Sequence, residues 1–104
     1  MECEIRIVDV DPMDAFRAYL ERRIRFALGR FSRSIRRVTV RVASTAETCG
    51  SEITIAISLI PKGRVVIVER ADDLHAAIDR GVEVVGRTTA RRLERHRLDA
   101  TISR

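Results

Sequence analysis

No stretch of this sequence approaches the run of about 18 apolar residues that crosses a bilayer, and its N-terminus lacks the basic-then-apolar order of a secretory leader. Membrane insertion and export are therefore not expected, and a cytoplasmic location is. The two cysteines, Cys3 and Cys49, make no Cys-x-x-Cys pair and read as reduced thiols. The two histidines, His75 and His96, stand far apart with no Cys-His-carboxylate cluster around either, which argues against a metal centre or a nucleophilic catalyst. There is no GxGxxG or Walker-type loop, since Gly81 and Gly86 fall inside a helical pattern. Repeats and low-complexity tracts are missing as well. Enzymes, cofactor proteins and small-molecule binders are the classes that these absences disfavour.

What the chain has is arginine. Lys and Arg number 20 against 15 Asp and Glu, for a net charge of +5. Lys62 is the single lysine among them. The balance favours polyanionic partners, and guanidinium groups grip phosphate bidentately and stack on bases, which suits RNA. A GC-rich genome produces the same skew for no functional reason. At 104 residues the chain is expected to be one domain with a core large enough to need no disulfide or metal.

In chain order, Cys3 to Val8 alternates as a half-buried strand with Cys3, Ile5 and Ile7 inward. Asp11-Pro12 marks a helix start, because Asp accepts from free backbone N–H groups and Pro at the first helical position loses no hydrogen bond. The helix is expected to run to about Phe31, with Met13, Phe16, Leu20, Ile24, Ala27, Leu28 and Phe31 on its buried side. Arg17, Glu21 and Arg25 are spaced for salt bridging along one flank. The other flank carries Tyr19, Arg23 and Arg30 with no acid among them. Tyr19 reads either as a core-edge ring or as a base-stacking one.

Ser32 to Ser34 is expected to turn into a strand over Ile35 to Ala43, and Ser44 to Ser51 to form a loop. A second, strictly alternating strand follows over Glu52 to Leu59. Ile60-Pro61-Lys62-Gly63 fits a type I turn. Arg64 to Arg70 is the fourth strand, apolar throughout Val65 to Val68 and so ambiguous about its buried face.

Asp72 or Asp73 then caps a long helix reaching about Arg97. Leu74, Ala77, Ile78, Gly81, Val82 and Val85 recur at helical spacing and form its buried side. Arg80, Arg87, Arg91 and Arg95 gather on one flank, with Asp79, Glu83 and Glu94 elsewhere around the cylinder. Charged residues on an exposed helix face are usually only solvated. This stripe holds no acid, which points beyond solvation. The element order is β-α-β-β-β-α. The half-polar strands imply an α+β fold in which a four-stranded sheet packs both helices on one face.

Ala71-Asp72-Asp73-Leu74-His75-Ala76-Ala77-Ile78-Asp79 closely resembles the turn into the second helix of the ribosome hibernation promoting factors, the ribosome-associated translation inhibitor or protein Y family. Phe16-Arg17-Ala18-Tyr19-Leu20-Glu21-Arg22-Arg23-Ile24 is similar to that family's first helix. The resemblance spans about Ile5 to Arg97. It implies binding to the small ribosomal subunit and its ribosomal RNA, in the channel for messenger RNA and the A-site and P-site transfer RNAs, with translation blocked in stressed or stationary cells. It places basic RNA contacts at Arg23, Arg87 and Arg91, and the flank readings add Arg30, Arg80 and Arg95.

The sequence departs from the family pattern at several places. His75 stands at the aromatic position and Val84 where Lys is common, while no Gly-basic pair precedes the first helix. Gly86, Thr88 and Thr89 replace good helix formers, so the last turns are expected to fray or kink. Arg92 points toward the buried side, acceptable if the helix overhangs the sheet. No second domain of the kind that pairs ribosomes is expected from these 104 residues, and by themselves they are not expected to pair ribosomes. The rival reading is a diverged module that contacts a protein, or itself, through its sheet.

Overall fold

The computed structural model describes residues 1–8, 14–44 and 50–102. The expected helix start at Asp11-Pro12, the place of Met13, Cys49 and most of the 44–51 loop lie outside them. The order is β1 (Glu2–Val8), α1 (Asp14–Leu28), a 3-10 segment (Gly29–Ser34), β2 (Ile35–Ser44), β3 (Ser51–Leu59), β4 (Arg64–Ala71) and α2 (Leu74–Ile102). The strands form one mixed sheet in the order β1-β2-β3-β4. β1 runs parallel to β2, and the other two pairings are antiparallel.

β3 shows why the sheet has two unlike faces. Its side chains alternate with period two, so Ile53, Ile55, Ile57 and Leu59 are buried and Glu52, Thr54, Ala56 and Ser58 face the other way. β2 adds Val38, Val40 and Val42 to the buried face. The ambiguity of β4 resolves through its register: Ile57 pairs with Val65 and Ile55 with Ile67, so these two valine-isoleucine positions go inward. Val66 and Val68 are left about half exposed on the open face.

Both helices cover the isoleucine face. Leu20, Ile24 and Leu28 of α1, and Ala77, Ile78, Val82 and Val85 of α2, are buried there. Gly81 is a condition of that approach, because a Cβ at this position would stand 2.9 Å from Cγ2 of Ile53. α1 stops at Leu28, short of the expected Phe31, and the tighter 3-10 segment takes in Phe31 and the Ser32–Ser34 turn.

Other local expectations change in instructive ways. The salt-bridged triple on α1 is partial: Arg25 pairs with Glu21 at 3.1 Å, but Arg17 donates to the Ile5 carbonyl of edge strand β1 at 3.0 Å. A tertiary acceptor has displaced the helical neighbour. The type I turn gives way to a wider loop with a cis Ile60–Pro61 peptide, Gly63 at φ 110°, and Leu59 N–H donating to the Gly63 carbonyl at 2.9 Å. His96 lies against Gly63 there.

Asp73 is the cap of α2, its carboxylate accepting the Ala76 N–H at 2.7 Å. The expected fraying at Gly86, Thr88 and Thr89 does not occur, and the helix continues to Ile102. Packing outweighs propensity here: Thr89 is fully buried, and Gly86 faces Ala27 of α1. Arg92 does lean inward, and its guanidinium reaches the Arg64 carbonyl at the start of β4 at 3.5 Å.

Candidate nucleic-acid interface

The two helices lie side by side, and a polar clasp joins them near the start of α2. Tyr19 stacks on His75 with ring centroids 4.5 Å apart, and Phe16 meets the same imidazole edge-on at 6.2 Å. The Tyr19 hydroxyl donates to Oδ1 of Asp79 at 2.6 Å. That bond holds the phenol above its ordinary pKa, with partial desolvation and the Asp79 charge adding to the effect. Tyr19 is therefore a core-edge ring whose hydroxyl is occupied, and His75 is an exposed helix-start residue whose ring stacks on it.

The clasp also changes the standing of Arg23. Its flank on α1 carries no acid, yet α2 supplies one: Arg23 Nε lies 3.6 Å from Oδ1 of Asp79. The same Nε is buried without a hydrogen-bond partner. Sequence spacing within one helix could not reveal a carboxylate donated by the other. Arg23 thus has a carboxylate beside it, contrary to the acid-free expectation.

Beyond the clasp the helices flank a groove of about 300 Å³ lined by Arg23, Phe26, Ala27, Arg30, Val82, Glu83, Gly86 and Arg87. Ala27 and Gly86 let the helices come close, so the larger side chains stand as walls. The groove thus brings together Arg23, Arg30 and Arg87 of the six expected contact residues. Arg80, Arg91 and Arg95 do not line it. From Arg87 to Arg91 and from Arg91 to Arg95 each four-residue step advances about 40°, so this part of the stripe winds away from the groove. Arg80 turns toward β4, where it approaches the Arg70 carbonyl at 3.5 Å. Arg91 and Arg95 are exposed on α2 beyond the groove.

Arg30, Arg80, Arg87, Arg91 and Arg95 make no ion pair among the described residues. Arg30 is instead held over the ring of Phe31, 4.6 Å from its centroid. It also lines a second cleft of about 590 Å³ at the end of the sheet, with Arg33, Ile60, Pro61, Leu93 and His96 among its walls. Among the described residues there is no cluster of His, Cys, Asp and Glu suited to a metal ion, and no helix long and apolar enough to cross a membrane. Cys3 is a free thiol, its pKa pushed up mainly by burial.

The family model for the sigma 54 modulation protein / S30EA ribosomal protein matches residues 3–97. The chain belongs to that family. Among solved structures it is similar to the N-terminal domain of Thermus thermophilus protein Y. The two share 25% identity at a TM-score of 0.70, over 88% of this chain and 98% of that one. No curated protein sequence matches it. Membership in this hibernation-promoting factor family agrees with the β-α-β-β-β-α order and with the Ala-Ala-Ile-Asp string at the head of α2.

Two groove residues escaped the sequence reading. Phe26 is 87% exposed, and its signal was available, since by spacing it falls off the apolar stripe of α1. Glu83 was placed away from the arginine stripe on α2, but only the packing of α1 could show that it shares a groove with Arg23 and Arg30.

Proposed function

We propose that this chain binds the small ribosomal subunit in the channel for messenger RNA and the A-site and P-site transfer RNAs, and so inhibits translation during stress or stationary phase. The observation that carries the reading is the concave helix surface on which Arg30 and Arg87 converge without carboxylate partners, beside an exposed row of Arg80, Arg91 and Arg95. Such a surface follows a folded RNA through its sugar-phosphate outline, reading shape more than sequence. Family membership and the likeness to protein Y support the same conclusion.

If about five phosphates are neutralised, log K falls with log salt at a slope of roughly −3.5 to −4.5. Sedimentation of stationary-phase lysate at low and high salt is the test. The protein should travel with small subunits at low salt and leave them at high salt. If it stays at the top of the gradient in both, the reading is wrong.

The second reading, a protein-interaction or self-association module, draws on Val66 and Val68, each 52% exposed on edge strand β4. It predicts a concentration-dependent increase in mass by analytical ultracentrifugation that Val66→Thr with Val68→Thr abolishes.

A further inference from the structure

Phe26 is the largest anomaly on the helix layer. Exposing a phenylalanine at 87% sacrifices the burial that such a ring ordinarily gains, and neither the core nor the Tyr19–His75 clasp uses it. Its surroundings are not those of a protein-docking patch, because Arg23, Arg30 and Arg87 line the same groove and its apolar remainder is small: Ala27, Val82 and Gly86. An aromatic face ringed by guanidinium groups has the chemistry of a nucleotide site, with the ring stacking a base and the cations holding its phosphates.

We propose that the groove takes one unpaired nucleotide of the bound RNA, its base stacked on Phe26 and its flanking phosphates held by Arg30 and Arg87. Glu83 fits this better than it fits a groove for phosphate alone. A carboxylate there repels an anion, but it accepts from the exocyclic amine of a base. The volume of about 300 Å³ suits a single nucleotide, not a duplex. The proposal deepens the ribosome reading, adding a base-dependent contact to one argued from phosphates.

The test uses a cytidine octamer, chosen for its amino group, and an abasic octamer of equal charge. Phe26→Ala should weaken the cytidine octamer roughly 5- to 100-fold, leave the abasic octamer unchanged, and leave the melting temperature unchanged because the ring is solvated. The chain has no tryptophan, so Phe26→Trp places a sole indole in the groove, whose fluorescence the cytidine octamer should quench and the abasic one should not. A wild-type protein that fails to bind the cytidine octamer at low salt, or a Phe26→Ala protein that binds it equally well, overturns the proposal. The ribosome reading is judged separately by sedimentation. If Arg30→Ala with Arg87→Ala leaves small subunits while Phe26→Ala stays bound, stacking is wrong and ribosome binding stands. If the wild type never sediments with ribosomes yet loses cytidine binding on Phe26→Ala, the nucleotide site stands and its ribosomal setting does not.

Discussion

The open face of the sheet and the groove between the helices both carry arginine, and they use it differently. On and around the sheet face, Arg6 pairs with Glu4 at 3.0 Å, Arg37 with Glu2 at 3.0 Å and Arg70 with Glu52 at 2.7 Å. These exposed pairs contribute little stability, but each sets a carboxylate against its cation, even at the cleft of about 400 Å³ that Glu2, Arg36, Arg37 and Ser58 line on this face. Between the helices, Arg30 and Arg87 face a concave space whose walls add Phe26 and only one carboxylate, Glu83. The number of cations does not distinguish the two surfaces. The placement of acids does, and it is a property of the folded chain.

The sharpest way to break this comparison is to remove two cations from each surface. Arg30→Ala with Arg87→Ala should lower affinity for small subunits about 10- to 30-fold near physiological salt. It should also flatten the salt slope by about 1.4 to 1.8, as two phosphate contacts are lost. Arg37→Ala with Arg70→Ala removes the same charge from the sheet face and should leave both quantities unchanged. Equal losses in the two double variants, measured by sedimentation across a salt series, would mean that net charge alone drives binding.

A second variant probes what holds the helix layer in place. Gly81→Ala pushes a methyl group to within 2.9 Å of Cγ2 of the fully buried Ile53, so one of the two must shift. Overpacking costs about 1–3 kcal/mol and the better helix propensity of Ala returns up to ~1, so net destabilisation of about 1–2 kcal/mol is expected. Calorimetry should show melting lowered by roughly 5–10 °C. A neutral result would mean that α2 slides on the sheet, and the groove would then be a poorer site than its geometry implies.

Thr89 offers a smaller effect of opposite sign. Its hydroxyl is buried without a partner, so the near-isosteric Thr89→Val should stabilise by about 1 kcal/mol in denaturant unfolding. A loss of stability instead would reveal a bond to the hydroxyl. RNA binding should not change, since Thr89 belongs to the core and lines neither cleft.

These cases also show how far the residues alone could be read. The strands, the helices and their buried stripes follow from period-two and 3.6-residue spacing, which is local information; the residues narrowed the cap of α2 to Asp72 or Asp73, and the hydrogen bond to Ala76 decides for Asp73. The family resemblance was legible for the same reason, because Ala-Ala-Ile-Asp is a contiguous string. What spacing could not supply was any relation between α1 and α2. The Arg23–Asp79 pair, the sharing of a groove by Glu83 and Arg30, and the turning of Arg80 toward β4 all depend on which flank of one helix meets the other. The helical wheel made one stripe of Arg80, Arg87, Arg91 and Arg95. Packing divides it, leaving Arg87 in the groove and the rest outside.

The smallest expected effect lies at the clasp, where the helix layer is tied together. Asp79 is shared between the Tyr19 hydroxyl at 2.6 Å and Arg23 at 3.6 Å, so the phenol competes with the groove for one carboxylate. The folded-state pKa of Tyr19 lies above the unfolded value, so its stabilising contribution is whole below the ordinary tyrosine range. As pH rises into that range the unfolded chain ionises first, and the contribution is lost through the folded pKa. Wild-type stability should therefore fall more steeply than that of Tyr19→Phe on the alkaline side of about pH 10, the two curves running parallel at neutral pH. At neutral pH, Tyr19→Phe also releases Asp79 toward Arg23, which should weaken RNA binding slightly, by less than the loss of Arg30 and Arg87. A variant that binds more tightly would mean that the clasp restrains Arg23, and the groove would then hold three active cations in place of two.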